Sequence, residues 1–174
     1  DLIMMNFNPI TNGPNILNYI NDRNNPTGRP ILIFYKTYRI KAEGPWFIYD
    51  WNTLNSHEDW FLHYPNGTRI RHPYWGSYDM DISNQDYVNY QINRYVNLFP
   101  SNTLAQQYPG FNWSEFDGFF ADEVGTYEGW LRYTFYVPPN PLTNVPWTEQ
   151  QYNQYNIQFY QQLRPVIGNM VFVI

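Results

Sequence analysis

Gly28-Arg29-Pro30-Ile31-Leu32-Ile33-Phe34-Tyr35 is the stretch on which the reading of this chain turns. A Gly/Pro turn signal leads into five consecutive apolar or aromatic residues. A strand with one face in water alternates apolar and polar residues. An unbroken run fits a strand covered on both faces, as in parallel sheets. Working outward, Leu2-Ile3-Met4-Met5-Asn6-Phe7 has the same character. Between the two runs, Pro14 suits a first helical position and Leu17 and Ile20 follow at helical spacing. Downstream, Tyr78-Asp79-Met80-Asp81-Ile82 reads as a third strand. Ser83 with Asp86 resembles a capping box, and Val88, Ile92, Tyr95 and Phe99 continue as a helical stripe. Phe116 to Asp122 is a short fourth strand. Thr148 with Gln151 caps a helix striped by Tyr152, Tyr155, Phe159 and Leu163, which Pro165 and Gly168 end, and Asn169 to Ile174 is a fifth strand. Strands alternating with helices mean an α/β fold on a parallel sheet.

Residues 38–76 break that rhythm. Trp46, Trp51, Trp60 and Trp75 lie in this insertion, and Asn66-Gly67 marks a tight turn. Trp60 to His63 and Thr68 to Ile70 are expected to pair around it as a small hairpin. A second long, aromatic-rich loop runs from Glu123 to Trp147.

Composition narrows the chemistry. Aromatic residues make up 21% of the chain and charged residues 14%, and the apolar content rests on 17 Tyr, 12 Phe and 7 Trp. Flat rings and neutral amides suit a sugar-facing surface, although most rings in any fold fill its core. The formal charge of −5, with no basic run, argues against nucleic-acid binding, which needs clustered Lys and Arg. No apolar stretch approaches the roughly 20 residues of a membrane span. The absence of Cys removes disulfides, thiolate metal sites and cysteine nucleophiles. His57, His63 and His72 have no metal-site spacing, so no metal or other cofactor is expected. The sequons Asn66-Gly67-Thr68 and Asn112-Trp113-Ser114 permit glycosylation in a secreted protein and by themselves establish nothing.

The segment Phe116-Asp117-Gly118-Phe119-Phe120-Ala121-Asp122-Glu123-Val124 resembles the fourth strand of glycoside-hydrolase-like TIM barrels. Glu58-Asp59-Trp60-Phe61-Leu62-His63 followed by Asn66-Gly67 is similar to the insert of those families. Tyr78-Asp79-Met80-Asp81-Ile82-Ser83-Asn84 is similar to their third strand. The resemblance implies a (β/α)8 barrel with the first five βα units in this chain. It also implies an extracellular or cell-envelope setting and action on a polysaccharide or oligosaccharide. Five parallel strands do not close a barrel. The expectation is therefore a fragment of a longer polypeptide, or further copies or other chains covering the open strand edge. An open doubly wound sheet is the structural alternative.

Glycoside hydrolysis generally uses two carboxyl groups, and barrel enzymes project them from the C-terminal strand ends. Asp122 at the end of strand four is the first candidate. Its alternative role is a strand-end Asp that caps backbone amides or pairs with an Arg. Asp81 ends strand three in the same way, and neighbouring strands about 4.8 Å apart would bring it near Asp122. Glu123 is the alternative proton donor, whereas Asp117 suits a turn. Tyr35 and Lys36 end strand two beside the same mouth, and Trp46, Trp60, Trp75 and Trp130 are candidate stacking platforms for sugar. A non-catalytic carbohydrate-binding or structural subunit of an extracellular assembly is the competing reading.

Overall fold

The computed structural model describes residues 2–5, 31–37, 40–41, 48–73, 76–93, 118–122, 136–169 and 171–173; for 2–5, 31–37, 40–41, 48–50, 118–122 and 171–173 it describes the backbone. In chain order the strands are β1 (Leu2–Met5), β2 (Ile31–Thr37), β3 (Ile40–Lys41), β4 (Ser77–Tyr78), β5 (Gly118–Asp122), β6 (Pro139–Asn140), β7 (Val145–Pro146) and β8 (Val171–Val173). The helices are α1 (Ile48–Asn55), α2 (Gln85–Asn93) and α3 (Glu149–Ile167), with a 3-10 turn at Glu58–Trp60. The chain divides into two compact units. One comprises Asp1–Thr37, Asn93–Asp122 and Val166–Ile174, the other Tyr38–Ile92 and Glu123–Pro165.

The first unit is built on a parallel sheet with strand order β1-β2-β5-β8. Met5, Phe34, Phe119 and Phe172 lie in one row across the four strands. The unbroken apolar runs are thus the strands of this sheet. Gly118 sits between Ile33 and Val171, and at the far end Thr37 lies beside Asp122.

The expected third strand is not in this sheet, because β2 pairs directly with β5. Residues 77–78 pair antiparallel with β3, Tyr78 bridges Arg71, and Met80 bridges Phe61. Asp79 N–H donates to the Ile70 carbonyl (3.1 Å) and Asp81 N–H to that of Trp60 (2.8 Å). Residues 78–82 alternate apolar with acidic side chains, unlike the continuous runs of the parallel strands. The Asn66-Gly67 hairpin lies close by in sequence and offers an antiparallel partner at little loop-closure entropy.

That hairpin forms as expected. His63 bridges Arg69, Tyr64 N–H donates to the Thr68 carbonyl (2.8 Å), and Gly67 N–H to that of Tyr64 (2.9 Å). The turn needs a left-handed residue, and Gly67 supplies it at φ 81°. Because side chains alternate along an extended segment, the hairpin feeds two cores. Phe61 joins Leu54, Trp60, Met80 and Tyr87, whereas its neighbour Leu62 joins Ile70, Trp147 and Tyr152.

Helix α3 begins with the reciprocal cap read from the sequence: Gln151 N–H donates to Thr148 Oγ1 (3.2 Å) and Thr148 N–H to Gln151 Oε1 (3.1 Å). Tyr152, Phe159, Leu163 and Ile167 are its buried stripe. Pro165 does not stop the helix, which runs to Ile167. Gly168, at φ 58°, ends it in the left-handed conformation common just past helix ends. The cap of α2 lies one residue later than expected. Asn84 Oδ1 accepts from the N–H groups of Asp86 (3.0 Å) and Tyr87 (3.2 Å), while the Ser83 hydroxyl is taken by Asp81. The expected first helix around Pro14 lies outside the described residues.

Candidate functional site

Asp122 is the last residue of β5, beside Thr37 of β2, at the C-terminal end of both strands. In the same register Tyr35 lies opposite Phe120 and Lys36 opposite Ala121. Asp122, Tyr35 and Lys36 therefore lie towards one end of two adjoining strands, where β2 runs on past Lys36 to Thr37. Glu123, Asp117, Trp46, Trp75 and Trp130 lie outside the described residues.

Asp81 has a different setting. It belongs to the second unit, and with no third strand in the parallel sheet the strand adjacency that would bring it near Asp122 is absent. It is buried at 3% exposure, and its carboxylate accepts from the N–H (2.9 Å) and hydroxyl (2.6 Å) of Ser83. Asn84 N–H donates to the Asp81 carbonyl (3.2 Å). Asp81 thus ties the turn that leads into α2. Burial raises its pKa, the Ser83 hydrogen bonds oppose that rise, and the charge of Asp59 adds to it.

Trp60 is a core residue rather than a sugar platform. It is 4% exposed, the His57 ring stacks on it with centroids 3.9 Å apart, and Tyr90 and Tyr87 pack at 5.1 and 5.8 Å. No ring face is left for a pyranose. An apolar ring next to a buried hairpin strand contributes more in the core than in water.

One ionic cluster was not read from the sequence. Arg69 Nε donates to Glu58 Oε1 (2.9 Å), its Nη2 bonds Glu58 Oε2, and its Nη1 donates to Asn55 Oδ1 (2.8 Å). The guanidinium lies 3.7 Å from the centroid of Phe61, and His63 Nε2 meets Glu58 Oε1 at 2.7 Å. The hydrogen bonds from Arg69 and then His63 pull the Glu58 pKa from 4.5 down to about 2. The available signal was the placement of Glu58 and Arg69 on either side of the Asn66-Gly67 turn. A carboxylate with a lowered pKa stabilises the fold fully above its unfolded pKa, and that contribution disappears as pH falls through the folded value. Stability should therefore drop between pH 4.5 and about 2. In Glu58→Gln part of that acid limb should be missing in urea titrations across the range. Superimposable pH profiles would remove Glu58 from this role.

Among the described residues no group of three or more His, Cys, Asp or Glu is placed to hold a metal ion. Among them, too, no helix is long and apolar enough to cross a membrane.

No protein-family model matches the chain, and no curated protein matches it. Among solved structures its fold has a counterpart inside a much larger enzyme. That enzyme is the cycloalternan-degrading enzyme from Trueperella pyogenes, with a TM-score of 0.52 and 16% sequence identity. The match covers 92% of this chain and 20% of the enzyme, so the chain spans about a fifth of that enzyme's length. The likeness is one of fold.

Proposed function

We propose that the chain is part of a glycoside-hydrolase-like (β/α)8 barrel acting on an oligosaccharide or polysaccharide outside the cell or in its envelope. The observation that carries this reading is Asp122, which closes a parallel strand at its C-terminal end. The fold likeness to an enzyme that degrades a glycoside supports it. In this reading β1, β2, β5 and β8 are an arc of the barrel wall, and Asp122 stands where barrel enzymes place catalytic groups. Asp122 attacks the anomeric carbon or activates water, and a second carboxyl group protonates the leaving oxygen. Glu123, the next residue, is the donor within this chain. Tyr35 and Lys36 bind substrate hydroxyls, and Trp46, Trp75 and Trp130 offer apolar faces to the sugar rings.

The burial of Asp81 and its bonds to Ser83 favour a structural role for that residue and leave Asp122 as the strand-end carboxylate among the described residues of this sheet. That keeps alive a second reading, a carbohydrate-binding or structural subunit on the same scaffold. Both are tested by assaying Asp122→Asn in the full-length protein on a panel of oligosaccharides and polysaccharides. The expected outcome is a rate about 10²–10⁴-fold lower with folding intact. Unchanged hydrolysis would take Asp122 out of the chemistry. Sugar binding without hydrolysis by the parent protein would favour the second reading.

A further inference from the structure

We propose that Asn66 is an N-glycan acceptor. Pro65, Asn66, Gly67 and Thr68 are all exposed at the tip of the hairpin. Two donors converge on one amide atom: Thr68 N–H (3.0 Å) and Thr68 Oγ1 (2.7 Å) both bond Asn66 Oδ1. A backbone N–H only donates, so these bonds assign the oxygen of the amide and identify the other atom as Nδ2. Among the described residues no group bonds Nδ2. The Thr68 hydroxyl polarises the carbonyl oxygen, while the nitrogen that must react stays uncommitted.

The tip is held by bonds local to residues 64–68, namely Tyr64 N–H to the Thr68 carbonyl and Gly67 N–H to that of Tyr64. This geometry needs no other part of the chain. It is therefore available to a transferase acting before the fold is complete. In the finished fold the tip remains exposed, so a bulky, hydrated substituent displaces no core residue. The surface position that a sequon requires is thus present.

The reaction needs a donor oligosaccharide carried on a lipid pyrophosphate and a transferase on the secretory side of a membrane. Asn66 Nδ2 attacks the anomeric carbon and a C–N bond forms. The C–O bond to pyrophosphate breaks, the lipid pyrophosphate leaves, and the amide nitrogen gives up one proton. No oxidant or reductant takes part. The proposal does not depend on the glycosidase reading and concerns an atom outside that site.

The test is to secrete the full chain from a eukaryotic host and map its peptides by mass, with and without an amide-cleaving glycosidase. The expected result is a hexose- and N-acetylhexosamine-bearing peptide over Asn66 that the glycosidase converts to Asp at that position. Thr68→Ala should abolish it almost completely, and Thr68→Ser, which keeps a hydroxyl, should retain a measurable fraction. Asn66→Gln should lose it while circular dichroism and secreted yield stay near those of the parent. An unmodified Asn66 peptide in folded, secreted parent protein would overturn the proposal, as would a glycan that persists in Thr68→Ala.

Discussion

Trp147→Ala is expected to lower the free energy of unfolding by about 3–5 kcal/mol, the range for truncating a buried Trp. Trp147 is 1% exposed and meets Tyr152 and Tyr155 edge-on, with centroids 6.0 and 5.3 Å apart. It shares its cluster with Leu62 of the hairpin and with Ile70, so one ring joins α3 to the hairpin. Its Nε1 is buried without a hydrogen-bond partner, so the expected loss is one of packing and cavity rather than of a polar contact. Trp147→Phe keeps most of the volume and removes an unsatisfied donor, so it should cost clearly less. Urea denaturation with the slope held in common decides the matter. A change in Trp147→Ala below about 1 kcal/mol would mean that the cavity collapses or that the ring is not a packing centre.

Trp60→Ala should have an effect of similar size, again about 3–5 kcal/mol, through the other cluster. The ring is enclosed by His57, Tyr87 and Tyr90, and its Nε1 also lacks a partner. The prediction separates the structural from the sugar-binding reading of this residue. Trp60→Phe, which keeps the protein folded, should leave sugar affinity unchanged in titration calorimetry. A selective loss of sugar binding at unchanged stability would reinstate Trp60 as a platform. The two tryptophans belong to different clusters, so their losses should add. The sum rivals the whole stability of a typical domain, about 5–15 kcal/mol, and the double variant should not fold.

The parallel strands were legible because their sequences are unbroken apolar runs, as in Ile31 to Tyr35, and runs of that kind favour a sheet covered on both faces. The hairpin was legible because Asn-Gly is strongly biased towards a tight turn, and the start of α3 because a reciprocal cap uses a fixed spacing. Tyr78 to Ile82 misled because alternation marks an extended segment and does not name its partner. The same five residues pair with a nearby hairpin as readily as with a distant sheet. Ser83 misled as a cap because Asp81, two residues earlier, competes for its hydroxyl. The Glu58–Arg69 pair joins the 3-10 turn to the far arm of the hairpin, and its one trace in the sequence is the placement of the two residues on either side of Asn66-Gly67. At the candidate site, Asp122 at a strand end followed from the motif. The burial of Trp60 and Asp81 did not, because exposure is a property of the assembled fold.

The register of the parallel sheet has a consequence for the order of events during synthesis. Hairpin partners such as His63 and Arg69 lie a few residues apart, whereas Ile33 must wait for Gly118. Short loops close quickly, and distant pairings are slow because their closure entropy comes first. A ribosome delivers residues in order, so the hairpin can form while β2 still lacks its neighbour β5. Throughout that interval Ile31-Leu32-Ile33-Phe34-Tyr35, an apolar β-former without a charge, stands ready to pair with any other strand it meets. The nascent chain is most prone to aggregate in this window, and a chaperone that shields extended apolar segments would raise its yield most if it acted before residue 118 emerges.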